Sequence, residues 1–201
     1  MAYRPVDVER RWDLSYLGTY SADRQPVLER LLIEPARRAP ELRFVVAGPQ
    51  YPADIAWPAN VERLEHVPPA DHPAFYGASR YTLNVTRADM VRAGFSPSVR
   101  LFEAAACGTP VISDIWDGIS TVLLPGAEIV LAEDAETVLA VLRDTSSEGR
   151  DSMARAARSR ILSQHTAGHR AAELVEHLQA ARMRRAFVPF SRKPELQREL
   201  P

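Results

Sequence analysis

Apolar residues along this chain fall into short unbroken runs, and the polar stretches between them carry apolar residues every three or four positions. Leu14 to Leu17 is the first run and predicts a strand that stops at Gly18. Residues 24–38 place Leu28, Leu31 and Leu32 on one face, which predicts a helix. Leu42 to Ala47 predicts a second strand, closed by Gly48-Pro49, and a third lies near Val61 to Val67, ended by Pro68-Pro69. A short helix around Pro73 to Ala78 precedes a fourth strand, Tyr81 to Val85. Val111 to Ser113 and Ile129 to Ala132 complete the strands. Helices are predicted over 135–142, 150–163 and 167–182, with Thr166 as a cap. Strand and helix alternate, so the fold class is α/β with a mostly parallel sheet and helices on both faces. Ligands in such sheets bind beyond the carboxyl ends of the strands. Gly18, Pro49, Pro68 and Arg87 each follow a predicted strand.

Residues 95–114 form a device within this pattern. Ser96 suits an N-cap, Pro97 suits a first helical position, Gly108 stops the helix and Pro110 forbids its return. A helix N-terminus carries free N–H groups and the positive end of a dipole, so it favours phosphate. Glu103 lies about a turn and a half along, where a carboxylate can accept hydrogen bonds from sugar hydroxyls. The helix is otherwise apolar, so a buried Glu103 requires a polar partner, either a ligand hydroxyl or a salt bridge.

This stretch resembles the donor-binding signature of retaining glycosyltransferases with two facing Rossmann-like domains. Glu103 matches the second glutamate of that signature, which in the family holds the donor ribose, and the run Ala104-Ala105-Ala106-Cys107-Gly108-Thr109-Pro110 matches as well. Phe95 stands where the first glutamate belongs. The wording Leu83-Asn84-Val85-Thr86-Arg87, followed by Gly94 to Glu103, is similar to the CgeB-like branch of family 4-like glycosyltransferases, which commonly replaces the first glutamate. The resemblance runs from about Trp12 to Leu178. It implies the C-terminal, donor-binding, Rossmann-like half of a GT-B fold, with residues 1–11 as a lead-in or linker, 12–182 as the nucleotide-sugar domain and 183–201 as a tail.

The remaining candidates follow from chemistry and resemblance together. Gly18-Thr19 lets backbone approach a phosphate, although without further glycines it is neither a dinucleotide fingerprint nor a P-loop. Arg24 and Arg87 have the forked donors that suit a diphosphate. Arg87 is preferred because it closes the Asn84-Val85-Thr86-Arg87 motif. Arg100 reads either as structural or as lining the phosphate pocket. The resemblance adds the loop Ser96-Pro97-Ser98-Val99 to the diphosphate and the Val67-Pro68 backbone to the nucleobase. It assigns Glu103 and Arg87 to catalysis. His66 and His72 flank that proline pair and read as solvent-facing or capping residues. His165 and His169 are four apart but lack a third metal ligand, and no Asp-x-Asp motif appears, so no cofactor or metal is expected.

Bulk properties narrow the classes. With 201 residues, 46% hydrophobic and 25% charged, the chain has the composition of one soluble globular domain. A net charge of −1 gives no global field for nucleic acid or an anionic membrane. Residues 150–201 nevertheless hold eleven Arg or Lys against five Asp or Glu, a balance of +6, leaving −7 on residues 1–149. That basic end reads as a solvated helix or as a docking surface. A single cysteine, Cys107, excludes an internal disulfide framework and fits a reducing bacterial cytoplasm, with Cys107 as a small buried filler. No apolar run reaches transmembrane length.

The expected function is therefore transfer of a hexose from a UDP- or GDP-linked sugar to an acceptor hydroxyl, with retention of configuration. The acceptor-binding domain would come from an N-terminal domain or subunit. A non-catalytic nucleotide-sugar-binding module and an α/β domain that binds nothing are the alternatives.

Overall fold

The computed structural model describes residues 2–186, with side chains to residue 183; residues 187–201 of the expected tail lie outside the described residues. The chain divides into two units, residues 1–165 and 166–201. The first unit holds the strands β1 (Trp12–Leu17), β2 (Phe44–Ala47), β3 (Val61–Leu64), β4 (Ser79–Asn84), β5 (Val111–Ser113) and β6 (Val130–Leu131). They form one sheet in the order β3-β2-β1-β4-β5-β6. Every pairing is parallel, with Leu14 opposite Phe44 on one side and Tyr81 on the other. This is the strand order of a Rossmann-like fold, and the order reverses between β1 and β4.

Helices cover both faces. One face buries Leu14, Tyr16, Val46 and Leu83 against Leu28, Leu31 and Leu32 of helix α1 (residues 25–38) and Val138 and Leu142 of α5 (Ala135–Asp144). The other buries Val45, Ala47 and Val111 against α2 (His72–Gly77), α4 (Val99–Ala106) and α6 (Ser147–Gln164) through Phe75, Leu101, Ala104, Ala157 and Ile161. Burial on both faces explains why the strands read as continuous apolar runs rather than alternating ones.

Helix α1 spans the predicted 24–38 in three segments, Gln25–Leu28, a π turn Glu29–Ile33 and Glu34–Arg38. Pro35 is the cause. It has no N–H and its ring crowds the preceding turn, so the helix widens, and the Glu34 N–H bonds to Glu29 O five residues back. A helix the pattern did not predict, α3 (Ala88–Ala93), follows β4. β3 stops at Leu64, three residues short of the predicted end, because Glu65-His66-Val67 turns away from the sheet edge. Residues 2–11 carry no regular structure, but Val6 and Val8 lie against Gly77, and the Arg11 N–H bonds Ala78 O at 2.7 Å.

In the second unit, α7 (Ala167–Ala186) is capped as predicted, with the His169 N–H reaching Thr166 Oγ1 at 3.4 Å.

Candidate functional site

The site sits where the sheet order reverses, beyond the carboxyl ends of β1 and β4. There Arg100 reaches back from the first turn of α4 and ties the two strand ends together. Its Nε donates to Leu17 O at 2.8 Å and its Nη1 to Asn84 Oδ1 at 2.8 Å. The guanidinium also lies 5.0 Å from the Tyr16 ring centroid. A Cβ at Gly18 would come within 2.7 Å of Tyr16 Oη and 3.1 Å of Arg100 Nη2, so only glycine lets the strand end pass beneath them. Of the two readings open for Arg100, the structural one accounts for these contacts.

Asn84 extends the tie. Its Nδ2 donates to Ser113 Oγ at 3.0 Å and Thr86 Oγ1 at 3.3 Å. Beyond them lies Asp114, buried at the end of β5, which accepts the Thr86 N–H at 3.0 Å and the Thr86 hydroxyl at 2.8 Å. Burial holds the Asp114 carboxyl above its ordinary value, against the pull of those hydrogen bonds and of Arg100. The one signal that marks Asp114 in the sequence is a carboxylate closing an apolar run at the carboxyl edge of a sheet.

The loop after β1 is pinned from behind. Arg24, buried at the start of α1, donates through Nη2 to Thr19 O at 2.5 Å, and its Nε is buried without a partner. Tyr51 donates to Gly18 O at 3.1 Å. Both carbonyls are thus turned inward, and Thr19 itself is exposed. Gly48 takes φ +142, and a Cβ there would collide with the Gly18 carbonyl, so the loops after β1 and β2 pack backbone to backbone.

Helix α4 begins two residues later than predicted. Ser98, not Ser96, is the N-cap, with φ −70 and ψ 142, and accepts the Arg100 N–H at 3.4 Å. Pro97 is therefore outside the helix. The preceding turn sets this limit. Phe95 has φ 49 and its N–H bonds Asp117 O at 2.6 Å, which leaves Ser96-Pro97 as a linker between that anchor and the cap. Phe95 and Val99 are 72% and 70% exposed, so both stand on the rim. Arg87 is also on the rim, exposed at the N-cap of α3. Asp23 accepts the N–H of the adjacent Ala88 at 3.0 Å.

Glu103 faces the other way, toward α2. Its Oε2 accepts the Tyr76 hydroxyl at 3.1 Å and lies 3.7 Å from His72 Nδ1. Tyr3 adds to the group, since its hydroxyl is 3.3 Å from His72 Nδ1. Burial, aided by Glu103, pushes the Tyr3 hydroxyl up to about 12, and burial raises Tyr76 well above the ordinary phenol range. His72 Nε2 meets Val67 O at 3.2 Å. His66 is exposed as predicted, but His72 is not a solvent-facing residue. The protein partners of Glu103 are tyrosines and a histidine rather than an arginine. His72 and Tyr76 are four apart on α2 and so share a face, but the predicted helix begins at Pro73, one residue too late to show that spacing.

The structure thus joins Gly18, Asn84, Ser98 and Arg100 in one cluster, Thr19 with Arg24 in a second, and Glu103 with Val67 through His72. It leaves Arg87, Pro68 and Val99 exposed. Cys107 is buried, and burial raises its thiol to about 11.

A family model described as glycosyl transferase-like matches residues 24–176. The chain belongs to that glycosyl transferase-like family. No match was found among the curated proteins. Solved structures with the same fold include sucrose-phosphate synthase from Thermosynechococcus elongatus, at 15% identity and TM-score 0.69, covering 90% of this chain and 50% of that one. The C-terminal domain of a glycosyl transferase group 1 family protein (LpcC) from Francisella tularensis is 14% identical with TM-score 0.64, covering 83% of this chain and 97% of that one. Anabaena Alr3699/HepE, solved in complex with UDP-glucose, is 14% identical with TM-score 0.65, covering 84% and 49%. The chain therefore spans about half the length of the sucrose-phosphate synthase and HepE chains. At these identities the likeness is one of fold, and the fold is that of GT-B glycosyltransferase domains. No helix among the described residues is long and apolar enough to cross a membrane.

Proposed function

We propose that this glycosyl transferase-like chain is the donor-binding half of a glycosyltransferase of the CgeB-like branch, moving a hexose from a nucleoside diphosphate sugar to an acceptor hydroxyl with retention. One observation carries the reading. The loop after β1 and the capped start of α4 meet at the switch point between β1 and β4, where a nucleotide belongs in such a sheet, and Glu103 lies one turn further along α4. The diphosphate would lie against Thr19, Arg24 and the first amides of α4, with Arg87 at the rim. Glu103 would accept the ribose hydroxyls, and the backbone at Val67-Pro68 would face the base.

The chemistry asked of these groups is electrostatic. Charge grows on the leaving diphosphate as the glycosidic bond breaks, and fixed cations and backbone N–H groups stabilise that charge without reorganising. No protein nucleophile is required. The acceptor would be bound by an N-terminal domain or a separate subunit. The match to nearly all of an isolated C-terminal domain, and to half of the sucrose-phosphate synthase chain, supports this division.

Calorimetric titration of the chain with UDP, GDP and AMP tests the reading. One nucleoside diphosphate should bind, AMP should not, and Glu103→Ala should cost about 1–3 kcal/mol of binding energy. Failure of both diphosphates to bind would overturn it. Phe95, in place of the first glutamate, favours a second reading, a non-catalytic nucleotide-sugar-binding module. Such a module would bind UDP-glucose in the full-length protein without releasing UDP when acceptor is supplied.

A further inference from the structure

We infer that His72 is a positioning residue for nucleotide binding, clasping the ribose-side carboxylate to the base-side loop, with Tyr3 closing the clasp from the lead-in. The inference rests on the donor-site reading above and adds residues that neither the family signature nor the sequence pattern marks. Four contacts converge on one imidazole. Nε2 reaches Val67 O at 3.2 Å, and Nδ1 lies 3.3 Å from the Tyr3 hydroxyl and 3.7 Å from Glu103 Oε2. The ring also stands edge-on to Tyr76, at 6.2 Å between centroids, and Tyr76 in turn donates to Glu103.

The carbonyl of Val67 determines the tautomer. A carbonyl only accepts, so Nε2 carries the proton and Nδ1 accepts from Tyr3; the ring therefore reaches Glu103 by packing on Tyr76, which donates to that carboxylate, rather than through Nδ1 itself. Tyr76 then holds Glu103 Oε2 from inside the fold. That arrangement engages the Oε2 oxygen of the carboxylate with protein. It also links two parts of the site that no regular structure joins: Glu103 is on α4, whereas Val67 sits in the loop between β3 and α2. Without His72 each would keep its backbone position but lose the link that sets their spacing. A nucleoside touches both; an inorganic diphosphate touches neither.

That difference supplies the test. Binding of UDP, GDP and inorganic pyrophosphate is measured by calorimetry for the chain and for His72→Ala, His72→Gln and Tyr3→Phe. His72→Ala should weaken the bound nucleotide about tenfold, the worth of one lost hydrogen bond, while pyrophosphate affinity stays within about twofold. His72→Gln should recover most of the loss, because its amide N–H reaches Val67 O and its amide oxygen can accept from Tyr3. Tyr3→Phe removes a single hydroxyl and should give a smaller nucleotide-selective loss; it carries the test if His72→Ala does not fold. Equal nucleotide binding by the chain and His72→Ala overturns the clasp and leaves the donor site standing. Parallel loss of nucleotide and pyrophosphate, or no recovery with His72→Gln, also overturns it. A chain that binds pyrophosphate but no nucleotide overturns the donor reading itself.

Discussion

Arg100 and Glu103 stand one turn apart on the same helix and have opposite fates. Arg100 is 7% exposed, and protein groups at two strand ends take up its Nε and Nη1. Glu103 is about one-fifth exposed at its side chain, and its protein partners converge on one oxygen. The first residue ties two strand ends together; the second is held from α2 through one oxygen. The lesson is that charge and position on a motif do not assign a role. What decides is how many hydrogen-bonding sites the protein itself has already filled, because a filled donor is scaffold and an unfilled acceptor beside a crevice can take a ligand.

The contrast can be broken at its strongest point first. Arg100→Ala should cost about 3 kcal/mol of stability, since Leu17 O and Asn84 Oδ1 would both be buried without their donor. Denaturant midpoints measure it, and a loss comparable to that of an exposed arginine would remove the scaffold role. Asp114→Ala comes next, at about 2 kcal/mol, because the Thr86 N–H and hydroxyl lose their acceptor. Asp114 also gives a pH signature. Burial raises its carboxyl in the fold, so the folded chain holds that proton more tightly than the unfolded chain does. The resulting contribution is fully present below the unfolded value of about 4 and is lost as pH rises through the raised folded value. The chain should therefore lose stability relative to Asp114→Asn as pH rises from about 4 through the raised folded value, as read by urea midpoints at each pH.

On the Glu103 side the expected stability changes are smaller. Glu103→Ala should destabilise by about 1 kcal/mol, the cost of leaving the buried Tyr76 hydroxyl unpaired, while its larger effect falls on nucleotide binding. A stability loss as large as that of Arg100→Ala would erase the distinction between the two residues. The smallest effect belongs to the rim. Phe95→Glu puts a carboxylate on the rim and should change stability by less than about 0.5 kcal/mol, because the ring is 72% exposed.

Much of the fold was legible before the structure. The apolar runs located all six strands, and Gly108-Thr109-Pro110 correctly ended α4. The misses have local causes. Pro35 was compatible with a helix only through a π turn, and the positive φ of Phe95 shifted the cap from Ser96 to Ser98. Helix α3 was missed because its six residues have no buried member to create a periodic signal. Within the site, Gly18, Arg24, Asn84 and Glu103 were named from their places after strands or in the motif. Tyr3, His72, Tyr76 and Asp114 were not, since their partners lie far away in the chain; Tyr3 and His72 are separated by 69 residues.

The order of apolar runs and turn residues therefore determined the class of fold and the parallel sheet. Those properties depend on periodicity and on backbone rules that act over a few residues. Only the tertiary structure decided what Arg100 and Glu103 each do on their shared helix. Hydrogen bonding is a contest for a limited set of partners, and it was settled by strand ends and loops from elsewhere in the chain that no local pattern brings to mind together.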